Sequence, residues 1–289
     1  MNLHLYKTLW GHQGSLADAI AACANLGWAG IEGPPPSEPA GQRVFCARLL
    51  DAELGYIAEI CTAGSYVPQR RATLTDHLDS LRHGAEAALE CRAQFLTVIG
   101  GCDAWPASQS VEFFHGAMEL ARSFALDVSF ETHRSRSLFH PWIARDILTR
   151  LPEMELTCDF SHWCVVCERL IDTEPDILAL CAQRARHIHA RVGYAQGPQT
   201  PHPAAPEYAD ALTAHEQWWW QIWESQRARG IVNCTMTPEF GPDGYLHTAP
   251  FTGVPVADLN QVNAWMGARL RDNFGQFAAA QVVEAVAGT

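Results

Sequence analysis

Glu131, Asp159, His189 and Glu239 are the residues of this sequence whose types and placement best suit chemistry: three carboxylates and an imidazole, each where a short apolar run gives way to polar residues. Alone, any one of them reads as a solvated carboxylate or a hydrogen-bonded core histidine. Four on successive runs form a mainly hard ligand set, suited to one Mn²⁺ or Mg²⁺ with positions left for water or substrate oxygens, and Zn²⁺ or Co²⁺ also fit such donors. Other polar groups accompany them. His133, two residues after Glu131, is a candidate acid or base, or a partner of the metal carboxylates. Arg191, two residues beyond His189, suits a substrate oxyanion or hydroxyl, or a salt bridge at the same mouth. Lys7 and Glu32 end the first two apolar runs and are candidate substrate contacts, with ion pairing as the alternative for each. Glu59, inside the third run, calls for a cationic partner, because a lone buried carboxylate is costly.

These groups need a scaffold that brings strand ends together. Short apolar runs near 3–9, 28–32, 56–61, 95–99, 127–131, 154–159, 186–192 and 232–237 alternate with amphipathic stretches such as 15–26, 72–92, 107–124 and 257–280. Eight βα units in this order predict a single parallel (β/α)8 barrel domain over 1–289, with reactive groups at the C-terminal mouth of the strands. The two-residue period of a strand places His187, His189 and Arg191 on one side, with His187 deepest, for core packing or a hydrogen bond behind the ligands. The proline-rich 34–41 is expected as a loop over the mouth, and 193–207 is too long for an ordinary connection. In the helix that follows, Trp218, Trp219 and Trp220 cannot share one face, so some of these rings should meet a loop or a partner chain.

Composition sets limits. The chain is 48% hydrophobic and 18% charged, enough apolar material for a large core. Its net charge of −12 opposes binding to a phosphate backbone, so nucleic acid is not an expected partner. No long apolar run marks a membrane span or a leader, and a soluble cytoplasmic protein is expected. The ten cysteines are scattered as expected of reduced thiols, and Cys164 and Cys167 form a CxxC without a second pair at zinc-site spacing.

The motifs FETHR, CDFSHW, HIHARVG and TPEFGP, on the fifth to eighth runs, make the chain resemble the xylose isomerase-like family of barrels, over nearly its whole length. That family includes sugar isomerases, ketose 3-epimerases, inosose-processing enzymes and the endonuclease IV branch. The resemblance implies a one-metal site on Glu131, Asp159, His189 and Glu239, a substrate contact at His162, and acid and base roles for Glu131 and Glu239. It departs from the 3-epimerases after His189, where they carry Gly-Glu and this chain carries Ala-Arg-Val-Gly.

The leading expectation is a metal-dependent isomerase or epimerase moving a proton beside the carbonyl of a small keto sugar or polyol-derived ketone, since a divalent metal polarises the carbonyl while a carboxylate removes the neighbouring proton. The runner-up is a lyase on the same site, dehydrating a keto-inositol or cleaving a 3-keto-glycoside or C-glycoside. Cleavage of damaged DNA fits poorly with the acidic charge, and the non-enzyme alternative is a metal-containing ligand-binding barrel. A small sugar-like substrate, no membrane and a possible homo-oligomer complete the expected partners.

Overall fold

The computed structural model describes residues 1–242 and 244–287, with side chains to residue 280. Eight parallel strands, β1 (Asn2–Thr8), β2 (Gly30–Gly33), β3 (Gly55–Cys61), β4 (Leu96–Ile99), β5 (Val128–Glu131), β6 (Glu155–Cys158), β7 (Ala185–His189) and β8 (Asn233–Thr237), pair in sequence order, and β8 pairs with β1 to close the barrel. The helices around it are α1 (Leu16–Leu26), α2 (Pro39–Asp51), α3 (Leu74–Glu90), α4 (Ala107–Ser123), α5 (Pro141–Arg150), the short α6 (Ser161–Val166), α7 (Pro175–Arg184), α8 (Ala209–Ala228) and α9 (Leu259–Ala287). Local chemistry starts several of them. Ser15 with Asp18, and Thr73 with Asp76, form reciprocal capping boxes at α1 and α3, and prolines open α2, α5 and α7 where a missing N–H costs nothing.

Each strand divides its residues between two environments. Outward-facing Ile31, Ala58, Val98, Phe130, Leu156 and Ile188 are fully buried against the helices, and Phe130 meets Phe114 of α4 edge-on at 4.8 Å. Inside, Tyr6, Ile57 and Phe95 form an apolar floor. Above it Thr157 Oγ1 hydrogen-bonds Ser129 Oγ (2.7 Å) and Thr97 Oγ1 (3.2 Å), so hydroxyls of three strands satisfy one another across the barrel. The titratable residues lie above this layer, at the carboxyl ends of the strands.

Several expectations change. The 34–41 segment does not cover the mouth: Pro35 and Pro36 run outward to share a surface groove with α3, and Pro39 already starts α2. The seventh strand ends at His189 rather than 192, and beyond it the Arg191 side chain reaches Ser161 after the end of β6. Trp218, Trp219 and Trp223 are buried, while Trp220 packs edge-on to Phe277 of α9 at 5.2 Å, so the fourth ring meets a helix of its own chain. All ten cysteines are free, Cys164 and Cys167 included. Among the described residues no helix is long and apolar enough to cross a membrane.

Phe130→Ala would empty the best-packed outward position of β5, directly below Glu131. It should cost about 3–5 kcal/mol in denaturant unfolding with an unchanged denaturant slope, and a cost below about 1 kcal/mol would contradict this account of the core.

Candidate metal centre

The inward parity of β5, β6, β7 and β8 brings Glu131, Asp159, His189 and Glu239 into one buried cluster, with one donor atom from each lying within 4.8 Å of all the others. A divalent ion bound at about 2.1–2.4 Å holds opposite ligands about 4.2–4.8 Å apart, so the four fit around one ion with little movement. Two buried atoms of the cluster, His189 Nδ1 and Glu131 Oε2, lack a hydrogen-bond partner, as expected of donors reserved for a cation. His189 Nδ1 stands 3.1 Å from Glu239 Oε2 and 3.6 Å from Glu131 Oε1.

Each ligand is held from behind. Thr132 Oγ1 accepts from the Asp159 amide and donates to its carbonyl, both at 2.8 Å, and the Ser161 amide donates to Asp159 Oδ1 at 3.0 Å. Glu239 lies beyond the end of β8, where Asn263 of α9 clamps the amide and carbonyl of Phe240 at 2.9 Å each. Gln199, buried in the long segment after β7, clamps Gly241 in the same way at 2.8 and 3.1 Å. That long segment therefore braces the backbone next to Glu239.

Glu32 is not a substrate contact in this geometry. It is fully buried beneath the cluster, with Oε1 3.0 Å from His189 Nε2 and Oε2 3.1 Å from His187 Nε2. Nε2–H of His189 donates to Glu32, which leaves Nδ1 as the nitrogen facing Glu131 and Glu239. His187, 2.8 Å from Thr235 Oγ1, steadies the other side of Glu32. Burial disfavours the charge on Glu32, yet the two imidazoles outweigh it and hold its carboxyl well below the usual range. Lys7 is also misplaced by the sequence reading. The register pairs Lys7 with outward-facing Ile31, and its neighbour is Cys23 of α1, so the ammonium lies on the helix side of the sheet, where burial lowers its pKa.

The remaining expected residues stay near the cluster. Arg191 donates to Asp159 Oδ2 and, at 3.1 Å, to Ser161 Oγ; its Nη1 lies 3.6 Å from Glu239 Oε2. His162 is fully buried behind the cavity wall, with Nε2 2.7 Å from Arg191 Nη2 and 3.5 Å from Glu131 Oε1. His133 packs against His162 with ring centroids 3.9 Å apart and planes tilted by 50°, and it does face the cavity. Burial, with Arg191 adding to it for both and the neighbouring His133 for His162, pushes the two imidazoles well below their ordinary pKa, so both are neutral. Glu59 has no cationic partner within ion-pair distance among the described residues, contrary to the expected pairing, and burial among Glu239, Glu32 and Glu131 pushes its carboxyl well up.

An aromatic roof closes the mouth, and the sequence reading missed it. Trp10 beyond β1, Tyr66 beyond β3 and Tyr245 beyond β8 line a half-open cavity of about 50 Å³ whose lower wall includes Glu59, Glu131, His133, Arg191 and Glu239. Trp10 meets Tyr245 edge-on at 4.8 Å, and the Tyr245 ring lies between the guanidinium carbons of Arg134 (4.8 Å) and Arg191 (4.9 Å). Fully buried Arg136 reaches the carbonyls of Thr62, Ser65, Tyr66 and Gly101, which fixes the segment that carries Tyr66. The available signal was an aromatic residue soon after a strand end, too common to single out.

Two outcomes follow for metal binding. Glu32→Gln leaves the histidines with one acceptor oxygen instead of two, and metal affinity measured by competition titration should fall about 10–100-fold; unchanged affinity would remove the orienting role of Glu32. Burial raises Glu131 to about 7, with Glu239 and Asp159 adding to the shift and His189 opposing it. Burial opposes the charge on His189, but Glu239, Glu32 and Glu131 outweigh it and raise its pKa. Protons on raised groups must leave before a cation enters, so affinity should weaken as pH falls through about 7, with proton release on loading seen by calorimetry in buffers of different ionisation enthalpy.

No family model matches the chain, and no curated protein matches it in sequence. Solved structures do match in shape. L-ribulose 3-epimerase superposes with a TM-score of 0.65 at 12% identity, covering 97% of each chain. IolI protein with a bound zinc atom gives 0.63 at 11%, covering 97% of this chain and 99% of its own. The probable 3-DHS dehydratase AsbF of Bacillus anthracis gives 0.61 at 15%, covering 93% and 99%. An endonuclease IV also matches, so the fold by itself does not choose between a sugar and a nucleic-acid substrate. What these likenesses show is the fold, a closed eight-stranded parallel barrel.

Proposed function

We propose that this protein is a metal-dependent isomerase or epimerase that moves a proton beside the carbonyl of a small keto sugar or polyol-derived ketone. The observation that carries this reading is a single cavity lined by two carboxylates of a four-residue ligand cluster, Glu131 and Glu239, and closed by an aromatic roof. A divalent metal held by Glu131, Asp159, His189 and Glu239, Mn²⁺ or Mg²⁺ by its donor set, supplies Lewis-acid polarisation of a substrate carbonyl.

The chain's own groups supply the rest. Glu131 and Glu239 stand on different strands at the cavity wall, placed to take a proton from a carbon next to the carbonyl and to return one there or at its neighbour. Arg191 offers a guanidinium to a substrate hydroxyl or oxyanion, and neutral His133, whose Nδ1–H donates to the Arg134 carbonyl, accepts one hydrogen bond at the same wall. Trp10, Tyr66 and Tyr245 exclude bulk water, which strengthens each of these interactions and protects a reactive intermediate. The carboxylate-rich wall disfavours a phosphate backbone.

The test is solvent-deuterium incorporation by metal-loaded protein across a panel of keto sugars, read by NMR. Exchange is expected with at least one of them, and Glu239→Gln at saturating metal should slow it by about 10²–10⁴. Loss of water or an aglycone in place of exchange would transfer the site to the lyase reading. Neither exchange nor elimination from fully loaded protein would reject the proposal.

A further inference from the structure

One carboxyl of the cavity takes no part in the arrangement described so far. Glu59 shares the inward face of β3 with Ile57 and Cys61, on the wall facing the strands that carry the metal ligands. It keeps part of its surface open to the cavity, yet its Oε2 is buried and has no hydrogen-bond partner among the described residues. The other buried carboxyls of the mouth are accounted for: Glu32 by two histidines, Asp159 by Ser161 and Arg191, Glu131 and Glu239 by the ligand cluster. A polar atom left unsatisfied in a buried place destabilises the fold, so its presence calls for an occupant that satisfies it.

The surroundings define that occupant. Glu131, His133, Arg191 and Glu239 form the polar wall across from Glu59, while Cys61 and Ile99 beside it offer no strong hydrogen-bonding group. A molecule held by its carbonyl end at the ligand cluster and extending across the cavity would bring its far end to Glu59. We propose that Glu59 anchors the end of the substrate remote from the metal, by a hydrogen bond to a hydroxyl of a polyhydroxylated ketone, and thereby selects ketoses long enough to span the cavity. The proposal rests on the functional reading above. Burial, with Glu239, Glu32 and Glu131 adding to it, pushes the Glu59 carboxyl well up, toward the form that can donate to an oxygen as well as accept.

The test compares D-fructose, a six-carbon ketose, with dihydroxyacetone, which has three carbons and lacks the remote hydroxyls, as ligands of the Mn²⁺-loaded protein by calorimetry. Wild type, Glu59→Gln, which keeps a donor and an acceptor, and Glu59→Leu, which keeps the approximate volume and removes both, are titrated with Mn²⁺ first. The expected result is fructose affinity reduced about tenfold or more in Glu59→Leu and largely retained in Glu59→Gln, with dihydroxyacetone and Mn²⁺ affinities unchanged. Because Glu59→Leu removes an unsatisfied buried group, its thermal midpoint without sugar should equal or exceed that of wild type. Equal fructose binding by wild type and Glu59→Leu would overturn the anchor and leave the functional reading standing. Parallel loss of both ketones and Mn²⁺ would mark Glu59 as merely structural and overturn it too. Wild-type protein that takes Mn²⁺ but binds neither ketone would remove the anchor together with the functional reading.

Discussion

Five carboxyl groups, Glu32, Glu59, Glu131, Asp159 and Glu239, are crowded into one buried barrel mouth, and the rest of the structure answers that constraint. Two like charges 4 Å apart repel by about 4 kcal/mol at an effective dielectric near 20, so such a group persists only if cations, protons or hydrogen-bond donors offset it. The molecule uses all three. Arg191 pairs with Asp159 and Glu239, two histidines bind Glu32, the Ser161 and Thr132 groups hold Asp159, and burial pushes the Glu59 carboxyl up toward its protonated form. What they leave unanswered is the space between Glu131, Asp159, His189 and Glu239, whose facing donors include two without a hydrogen-bond partner. A divalent cation is the economical completion, as it neutralises two charges while each ligand keeps its place.

The support behind the cluster explains why a long α/β chain is needed to hold four side chains. Glu239 stands beyond the last residue of its strand, and its backbone is fixed by Asn263 of α9 and Gln199 of the segment after β7. Asp159 likewise follows β6 and is tied to β5 through Thr132. The apolar floor and the hydroxyl layer below keep the strands in register, while the roof residues come from segments free to vary without disturbing that register.

Much of this arrangement could be read from the chain alone. The eight strands fall within a few residues of the apolar runs, and the two-residue period puts Glu131, Asp159, His189 and Glu239 on the inner face together. The errors have physical causes. Lys7 and Glu32 both sit near strand ends, and a displacement of one residue exchanges the barrel interior for the helix side; Lys7 falls outside, and Glu32, though inside, sits a layer too deep to reach the cavity. Glu59 violates the rule that a buried carboxylate has a cation beside it, and only its neighbours in space reveal that it has none. Trp10, Tyr66 and Tyr245 converge from three separate segments, a proximity set by loop paths that no local pattern encodes.

The claim on which the account depends is that the barrel mouth is a one-metal centre. Elemental analysis of the purified wild-type protein and of His189→Ala, after loading with Mn²⁺ and exhaustive dialysis, tests it most directly. The account predicts close to one metal per chain in wild type and near zero in the variant, with the circular dichroism of the barrel unchanged. Wild-type protein that retains no metal after loading, or a variant that retains as much as wild type, would contradict it.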